Sequence, residues 1–265
     1  MIPFPRGEAA EASEAASPKF TVRGLSCFYG DLQVLFDVEM ALAPRRVTAL
    51  IGPSGCGKST FLRVLNRMNE TREGTRTTGT VTLDGEDIHG PDVDVQRLRR
   101  RVAMVFQQPR VFPGSVFDNV AYGLRVAGEA DPRALADRVE TALRRAGLWD
   151  ELRDRLTRDA RALPPGEQQR LCVARALAAG PEALLLDDPT ASLDPIATAR
   201  VEELISDLRE SLTVVVVTHA PQQAARVSQS TAFFDEGRLV EVGDTRVIFT
   251  RPRERRTQDY LTGRY

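Results

Sequence analysis

The stretch that decides the fold runs from Ala49 to Thr60 and reads ALIGPSGCGKST. Within it, residues 52–59 match the phosphate-loop pattern G-x-x-x-x-G-K-[ST] at every fixed position. An apolar segment, VTALI, precedes the loop, and an amphipathic segment, STFLRVLNRM, follows it. The pattern requires this strand–loop–helix context, so the stretch predicts a nucleotide-binding site at the end of a buried strand.

Each residue type in this loop has a chemical reason. Glycines let the backbone fold so that successive N–H groups point at phosphate oxygens. Lys58 is expected to contact the β- and γ-phosphates of ATP, and Ser59 to ligate Mg²⁺. Lys58 is one of only two lysines among 36 basic residues, and a need for a compact ammonium is one reason for lysine here. The loop residues predicted to bind ATP are Gly52, Pro53, Ser54, Gly55, Cys56, Gly57, Lys58, Ser59 and Thr60.

Strand and helix patterns extend outward from the loop. Upstream, FTVRGLSCFYG and LFDVEMAL alternate apolar and polar residues, which predicts half-buried antiparallel strands. Downstream, apolar runs alternate with helical segments, which predicts an α/β fold with a parallel sheet covered on both faces. The apolar runs lie at 102–106, 183–188 and 214–219, and the helices between them begin near Asp131, Gly166 and Pro195.

One loop and one hairpin are expected between the first helix and the run at 102–106. Residues 71–79, TREGTRTTG, are expected to form a turn-rich loop. The next segment, TVTLDGEDI, predicts a hairpin that turns at Asp84-Gly85.

Two of the downstream runs end in residues that suit chemistry on a nucleotide. The run ALLLDD ends at Asp187 and Asp188, and VVVVTH ends at His219. Ligands of parallel sheets bind at the carboxyl ends of the strands, so these side chains are expected beside the phosphate loop. Asp187 is then a partner for Mg²⁺, and Asp188 can polarise the attacking water. His219 is expected to contact the γ-phosphate.

Composition narrows the class of protein. The chain has 265 residues, of which 42% are hydrophobic and 28% charged, as in ordinary folded proteins. The net charge of −1 gives no basic excess with which to bind nucleic acid. Three widely spaced cysteines predict neither a disulfide framework nor a zinc site. No run of 18 apolar residues predicts a membrane span, and the N-terminus does not read as a secretory signal. Residues 1–18, rich in Ala, Glu, Ser and Pro, are expected to form a disordered tail.

Further motifs make the chain resemble the ATP-binding subunits of ABC transporters from about residue 20 to residue 265. VFQQP resembles the Q-loop, LPPGEQQRLCVARAL the signature segment, DDPTASLDP the acid pair with the D-loop, and VTHAPQQAARV the switch histidine segment. This resemblance implies that Gln107 is a catalytic residue, with Asp188 and His219, and that it joins Ser59 and Asp187 as a Mg²⁺ ligand. It also implies that Tyr29 stacks on adenine and that Asp194 belongs to the D-loop.

The match is closer to one branch of the family. PDVDVQRLRRRVAMVFQQP, FPGSVFDNVAYGLR, LWDELRDRL and RTQDYLTGRY look like the phosphate-import ATP-binding subunit, and several of these lie outside the catalytic motifs. The resemblance implies an ABC-type ATPase domain over residues 19–265. That domain would have a P-loop NTPase core, an N-terminal antiparallel β subdomain and an inserted helical lobe at roughly 109–180.

The resemblance also implies an assembly on a membrane. Two such subunits, as a homodimer or heterodimer, would sandwich two ATP molecules head to tail. They would lie on the cytoplasmic face of the membrane and drive two permease subunits, fed by a periplasmic or extracytoplasmic phosphate-binding protein.

Two departures from the family predict slow hydrolysis. Pro164, Pro165, Gly166 and Glu167 stand where the family has Ser-Gly-Gly-Gln, so a hydroxyl and an N–H that meet the partner's γ-phosphate are missing and a negative charge is added. Asp188 stands where the family has glutamate, and its carboxylate is retracted by about 1.5 Å, the length of one C–C bond. A misplacement of about 1 Å can cost a hundredfold in rate.

Three functional hypotheses follow. The first is an ATP hydrolase with reduced turnover that drives phosphate import. The second is a nucleotide-gated subunit that binds ATP but hydrolyses little, as a regulator or the weak half of a heterodimer. An ATPase of another ABC importer also fits, since the transported ion does not touch this chain. A soluble DNA-repair or ribosome-associated ABC protein is disfavoured by the single cassette and the near-zero charge.

Overall fold

The computed structural model describes residues 17–264. The predicted disordered tail, residues 1–18, therefore falls almost entirely outside the described residues. The strands are β1 (Phe20–Tyr29), β2 (Leu32–Leu42), β3 (Val47–Ile51), β4 (Thr75–Leu83), β5 (Glu86–Asp87), β6 (Val102–Val105), β7 (Ala183–Asp187), β8 (Thr213–Val217), β9 (Ser230–Asp235) and β10 (Arg238–Asp244). The α-helices are α1 (Lys58–Val64), α2 (Val95–Arg101), α3 (Val116–Val126), α4 (Pro132–Arg145), α5 (Trp149–Leu152), α6 (Pro165–Ala178), α7 (Pro195–Leu208), α8 (Pro221–Val227), α9 (Thr245–Thr250) and α10 (Arg255–Leu261). Short 3₁₀ turns lie at Asn69–Thr71, Arg153–Arg155 and Ala160–Ala162.

The first sheet is antiparallel and has the strand order β2-β1-β4-β5. Its strands alternate buried and accessible residues over much of their length, which confirms the predicted half-buried strands. The hairpin at Asp84-Gly85 is also confirmed, because β4 pairs with β5 on either side of this turn. The expected loop over residues 71–79 is wrong for its second half. Strand β4 already begins at Thr75, which pairs with Tyr29, because its β-branched threonines suit a strand next to β1.

The second sheet has the order β10-β9-β3-β8-β7-β6, with parallel pairing from β9 through to β6. Every residue of β3, β7 and β8 is buried. One face packs against α1 and the first sheet, and the other against α6, α7 and α8. This confirms the predicted parallel sheet covered on both faces. The antiparallel hairpin β9–β10 at its edge goes beyond the strands that the sequence pattern predicts.

Helices α3, α4, α5 and part of α6 form a separate hydrophobic cluster. The predicted helix at Asp131 is confirmed, since its carboxylate accepts hydrogen bonds from two N–H groups in the first turn of α4. Helix α6 serves both clusters: Leu171 and Ala174 face the helices, whereas Val173 and Leu177 face the sheet. The lobe boundary at roughly 109–180 stays a prediction, because one helix belongs to both cores.

Three loops that carry the predicted site leave the second sheet at one edge. The parallel strands β3, β7 and β8 are neighbours, and they end just before Gly52, Asp188 and Thr218. Among residues 17–264, no helix is both long and apolar enough to cross a bilayer.

Candidate functional site

The loop between β3 and α1 requires glycine at two positions. Gly52 has φ 143°, and a Cβ there would lie 2.0 Å from the carbonyl oxygen of Phe234 on β9. Gly57 has φ 100°, and a Cβ there would lie 2.8 Å from Leu35 of the first sheet. The loop is therefore held between the two sheets, and its backbone takes conformations that side chains exclude. Ser54 and Gly55 lie at its exposed tip.

Lys58 begins α1 and is only 3% exposed. Its ammonium donates hydrogen bonds to the carbonyl oxygens of Gly52, at 2.7 Å, and Pro53, at 2.6 Å. It also lies 3.4 Å from the Sγ of Cys56, whose thiol pKa is raised by burial. The Lys58 ammonium is therefore surrounded by the loop backbone, where it can reach an anion that the backbone N–H groups bind.

Ser59 and Asp187 meet although 128 residues separate them in the chain. The Ser59 hydroxyl donates to Oδ1 of Asp187 at 2.6 Å, and Asp187 is 4% exposed. A hydroxyl and a carboxylate are hard oxygen donors, the kind that Mg²⁺ prefers, so the pair fits this ion. Arg63 was missed from the sequence: its Nη2 lies 3.1 Å from Oδ2 of the same carboxylate. One turn of helix after Ser59, it brings a fixed positive charge to the candidate metal site.

Asp188 and His219 also come together. The Nε2 of His219 lies 3.7 Å from Oδ2 of Asp188, and the Asp188 N–H donates to the carbonyl of Val217 at 3.0 Å. Asp188 is 6% exposed and has φ 47°, a left-handed conformation that aspartate tolerates better than most residues. Burial raises the pKa of Asp188, and the charge of Asp187 raises it further, whereas His219 and Lys58 act in the opposite direction.

A cleft of about 600 Å³ lies beside the phosphate loop. The predicted residues Tyr29, Thr60, Gln107 and Asp187 all line it. The guanidinium of Arg72 lies 4.4 Å from the centroid of the Tyr29 ring, so one face of this ring already carries a cation–π contact. A smaller, separate cavity of about 160 Å³ lies at the phosphate loop and is lined by Gly55, Gly57, Lys58, Ser59, Thr60 and His219. The two cavities share Thr60 and together suit an elongated ligand that ends at the phosphate loop.

The signature segment lies in a different groove, of about 580 Å³. Pro164, Pro165, Gly166 and Glu167 form one wall, and Asp194 with the start of α7 forms the other. Pro165 is the first residue of α6, which confirms that this sequence suits a helix start. Gly166 packs closely on α7, because a Cβ there would lie 2.6 Å from the Cβ of Ala197.

Glu167 and Asp194 have different surroundings in this groove. No donor within residues 17–264 reaches Oε2 of Glu167, although this atom is buried. Asp194 accepts hydrogen bonds at 2.9 Å from the N–H groups of Ile196 and Ala197, and so caps α7.

Two further residues were missed from the sequence. Gln223, 2% exposed, joins Thr218 and Thr190 through hydrogen bonds of 2.6 and 2.9 Å. The Tyr260 hydroxyl donates to the carbonyl of Gly52 at 3.3 Å, and the Tyr260 ring packs 5.0 Å from that of Phe233. Neither contact follows from residue spacing. Only the quoted VTHAPQQAARV and RTQDYLTGRY segments, which extend past the catalytic motifs, pointed to these regions.

The comparisons with known proteins agree with this geometry. A family model described as ABC transporter matches residues 35–191, more than half of the chain. A solved structure of cbiO1 from Clostridium perfringens, described as part of the ABC transporter complex cbiONQ, has 25% identity and a TM-score of 0.79. That match covers 94% of this chain and 97% of the other.

A bacterial Atm1-family ABC exporter with ATP bound has 25% identity and a TM-score of 0.77. The match covers all of this chain but only 45% of the exporter chain. The family match and the two structural matches point to the same kind of domain, and this chain belongs to the ABC transporter family as an ATP-binding domain.

Proposed function

We propose that this chain is the ATP-binding subunit of an ABC importer that hydrolyses ATP, with reduced turnover, to drive uptake of inorganic phosphate. The observation that carries the ATPase is the meeting of three loops at one sheet edge. There Ser59 contacts Asp187 at 2.6 Å, and Asp188 lies 3.7 Å from His219. Phosphate as the cargo is supported by the likeness of segments outside the catalytic motifs to the phosphate-import branch.

The residues divide the work on ATP among themselves. Lys58 and the loop N–H groups would hold the β- and γ-phosphates. Tyr29 would stack on adenine with the face of its ring opposite Arg72. Ser59, Asp187 and Gln107 would hold Mg²⁺, which neutralises phosphate charge when bound. Asp188 would accept a proton from the attacking water, and His219 would contact the γ-phosphate.

Reduced turnover is proposed from two features. Asp188 is short, buried and of raised pKa, so it reaches less far toward a water than glutamate and is protonated more easily than a free aspartate. At the signature groove, Pro165 has no N–H and Glu167 brings a carboxylate toward a polyanion. In a dimer the signature groove would serve the partner's ATP, whereas Asp188 would serve the ATP held by its own Lys58.

The proposed partners are a second ATP-binding subunit, two permease subunits and an extracytoplasmic phosphate-binding protein. The chain would then lie on the cytoplasmic face of the membrane as a peripheral subunit. The likeness to cbiO1, which is part of an ABC transporter complex, supports assembly with membrane subunits, and a different cargo is one outcome of the test.

The testing experiment is reconstitution. The chain is co-purified with its membrane subunits, placed in liposomes, and assayed for ATP hydrolysis with and without phosphate and the binding protein. Stimulation by phosphate together with its binding protein supports the proposal. Stimulation only by another solute would reassign the cargo and keep the ATPase.

A second candidate is a nucleotide-gated subunit that binds ATP and dimerises without hydrolysing it at a useful rate. The missing N–H of Pro165 and the carboxylate of Glu167 at the signature groove, together with the short Asp188, favour it. ATP-dependent dimerisation without phosphate release, in the complete complex, would select this candidate.

A further inference from the structure

Gln223 lies where three functional loops can be joined by one side chain. It is the third residue of α8, and it is 2% exposed. Its side chain reaches the end of β8, the loop after β7 and the second turn of α7, through Thr218, Thr190 and Glu202. A glutamine so deeply buried needs partners for both ends of its amide, and here it has them.

The hydrogen bonds fix the orientation of this amide. The Thr218 hydroxyl donates to Oε1 of Gln223 at 2.6 Å. Nε2 donates to the Thr190 hydroxyl at 2.9 Å and to Oε1 of Glu202 at 3.2 Å. An ionised Glu202 accepts hydrogen bonds and cannot donate them. Two hydrogen bonds from Arg226, at 2.6 and 2.8 Å, favour the ionised form of Glu202. The pKa of Glu202 is held below its usual value first by Arg226 and also by Gln223.

The two threonines flank the proposed catalytic pair. Thr218 is the residue before His219, and Thr190 is two residues after Asp188. The Thr190 carbonyl also accepts from the N–H of Leu193, on the way to the D-loop. A bond from one amide to both threonines therefore limits how far the loop of Asp188 and the loop of His219 can separate.

We propose that Gln223 is a positioning residue that holds Asp188 and His219 at their working distance and links the D-loop to the switch histidine. Its side-chain hydrogen bonds go to Thr190, Thr218 and Glu202, so its effect on Asp188 and His219 passes through Thr190 and Thr218. The inference rests on the proposed function, because it assumes that Asp188 and His219 act on ATP.

Glutamine fits this place better than its isosteres. Glutamate would set a second carboxylate about 3 Å from Glu202, where like charges repel. Methionine fills a similar volume but neither donates nor accepts strongly, so the two loops would lose their common partner.

The first experiment compares Gln223→Met with Gln222→Met in the complete transporter complex. Gln222 is the neighbouring residue on the exposed face of α8, so it controls for the substitution itself. Gln223→Met is expected to lower kcat by about tenfold, because displacements below 1 Å at a catalytic group cost roughly that much. The KM for ATP should change less than twofold, since the phosphate loop is untouched, whereas Gln222→Met should behave as wild type.

A second experiment separates positioning from simple loss of stability. Gln223→Glu alone should lower kcat, and the double variant Gln223→Glu with Glu202→Gln should recover at least half of it. The double variant restores one donor and one acceptor at the same distance with their roles exchanged. Thermal unfolding of each variant shows whether a lower kcat is accompanied by a lower melting temperature.

His219→Ala identifies which hypothesis fails. If His219→Ala leaves turnover unchanged, the proposed catalytic pair is wrong and the positioning role falls with it. If His219→Ala abolishes turnover while Gln223→Met matches wild type, only the positioning role is overturned. A folded double variant that recovers no activity overturns it as well.

Discussion

The phosphate loop and the signature groove are both built around a glycine pressed against a neighbouring element, yet they differ in what they offer an anion. At the phosphate loop, Gly52 packs on β9 and the chain supplies the ammonium of Lys58. At the signature groove, Gly166 packs on α7, and the chain supplies the carboxylate of Glu167.

At the signature segment, the residues that favour the fold are not residues that favour binding of an anion. Pro165 at the first helical position and Glu167 in the first turn both favour α6, because a missing N–H costs nothing there and a negative charge suits the helix N-terminus. Under the proposed function the same two residues would weaken a phosphate site. The segment would then keep its place in the fold while binding a partner's nucleotide less tightly.

The largest effect is expected from removing the ammonium of Lys58 from the phosphate loop. Lys58→Ala should weaken Mg-ATP binding by about 10- to 100-fold, because a charged hydrogen bond contributes roughly 1.5–3 kcal/mol. Lys19→Ala is the matched control, since Lys19 is the only other lysine and forms ion pairs with Asp84 and Glu182. Titration calorimetry on both variants measures the effect. Equal Mg-ATP affinities for Lys58→Ala and wild type would contradict the assignment of this loop to the ATP site.

The next effect concerns reach at the catalytic end of the same site. Asp188→Glu should raise steady-state ATPase by about ten- to a hundredfold, or roughly 1.4–2.7 kcal/mol in the barrier. Asp188→Asn should trap ATP, and it should fold, because asparagine also tolerates the left-handed backbone found here. Phosphate release under saturating Mg-ATP is the measurement. Flat turnover in Asp188→Glu, together with wild-type turnover in Asp188→Asn, would favour the nucleotide-gated reading.

Restoring the family's residues in the signature segment should make the signature groove, like the phosphate loop, favourable to phosphate. Replacing Pro164-Pro165 by Ser-Gly and Glu167 by Gln is expected to tighten ATP-dependent dimerisation by about tenfold, through restored donors and a removed charge. Glu167→Gln alone separates the charge from the donors and should give the smaller part of the gain. Light scattering with and without Mg-ATP measures both variants. If neither dimerises better, this groove does not face a partner's phosphate.

The smallest effect is a pH dependence of turnover. Asp188 can act as a base only when ionised, and its raised pKa means that it takes up a proton at a higher pH than a free aspartate does. Turnover should therefore fall a few-fold as the pH is lowered, with the loss starting above the usual range of aspartate. A pH series of kcat for wild type tests this. A kcat that stays flat as the pH is lowered through this range would contradict the assignment of Asp188 as the base.

The sequence alone was sufficient for the features that depend on local backbone. The phosphate loop is identified by its glycines, because their positive φ angles are needed wherever the loop folds. The parallel sheet follows from apolar runs that end in Asp187 and His219, since buried strands need apolar residues on both faces. The hairpin β9–β10 escaped this reasoning because its pairing at the sheet edge has no comparable local signature.

The strand ends predicted Asp187, Asp188 and His219 beside the phosphate loop, but only the tertiary structure decided which side chains are in contact there. Asp187 contacts Ser59 and Arg63, and Asp188 approaches His219, because β3, β8 and β7 are neighbours in the sheet. The polar network of Gln223 also depends on this order, since α8 must pack against α7 before Thr218, Thr190 and Glu202 surround one amide. Distances between residues far apart in sequence are set by packing, so no local pattern could have supplied them.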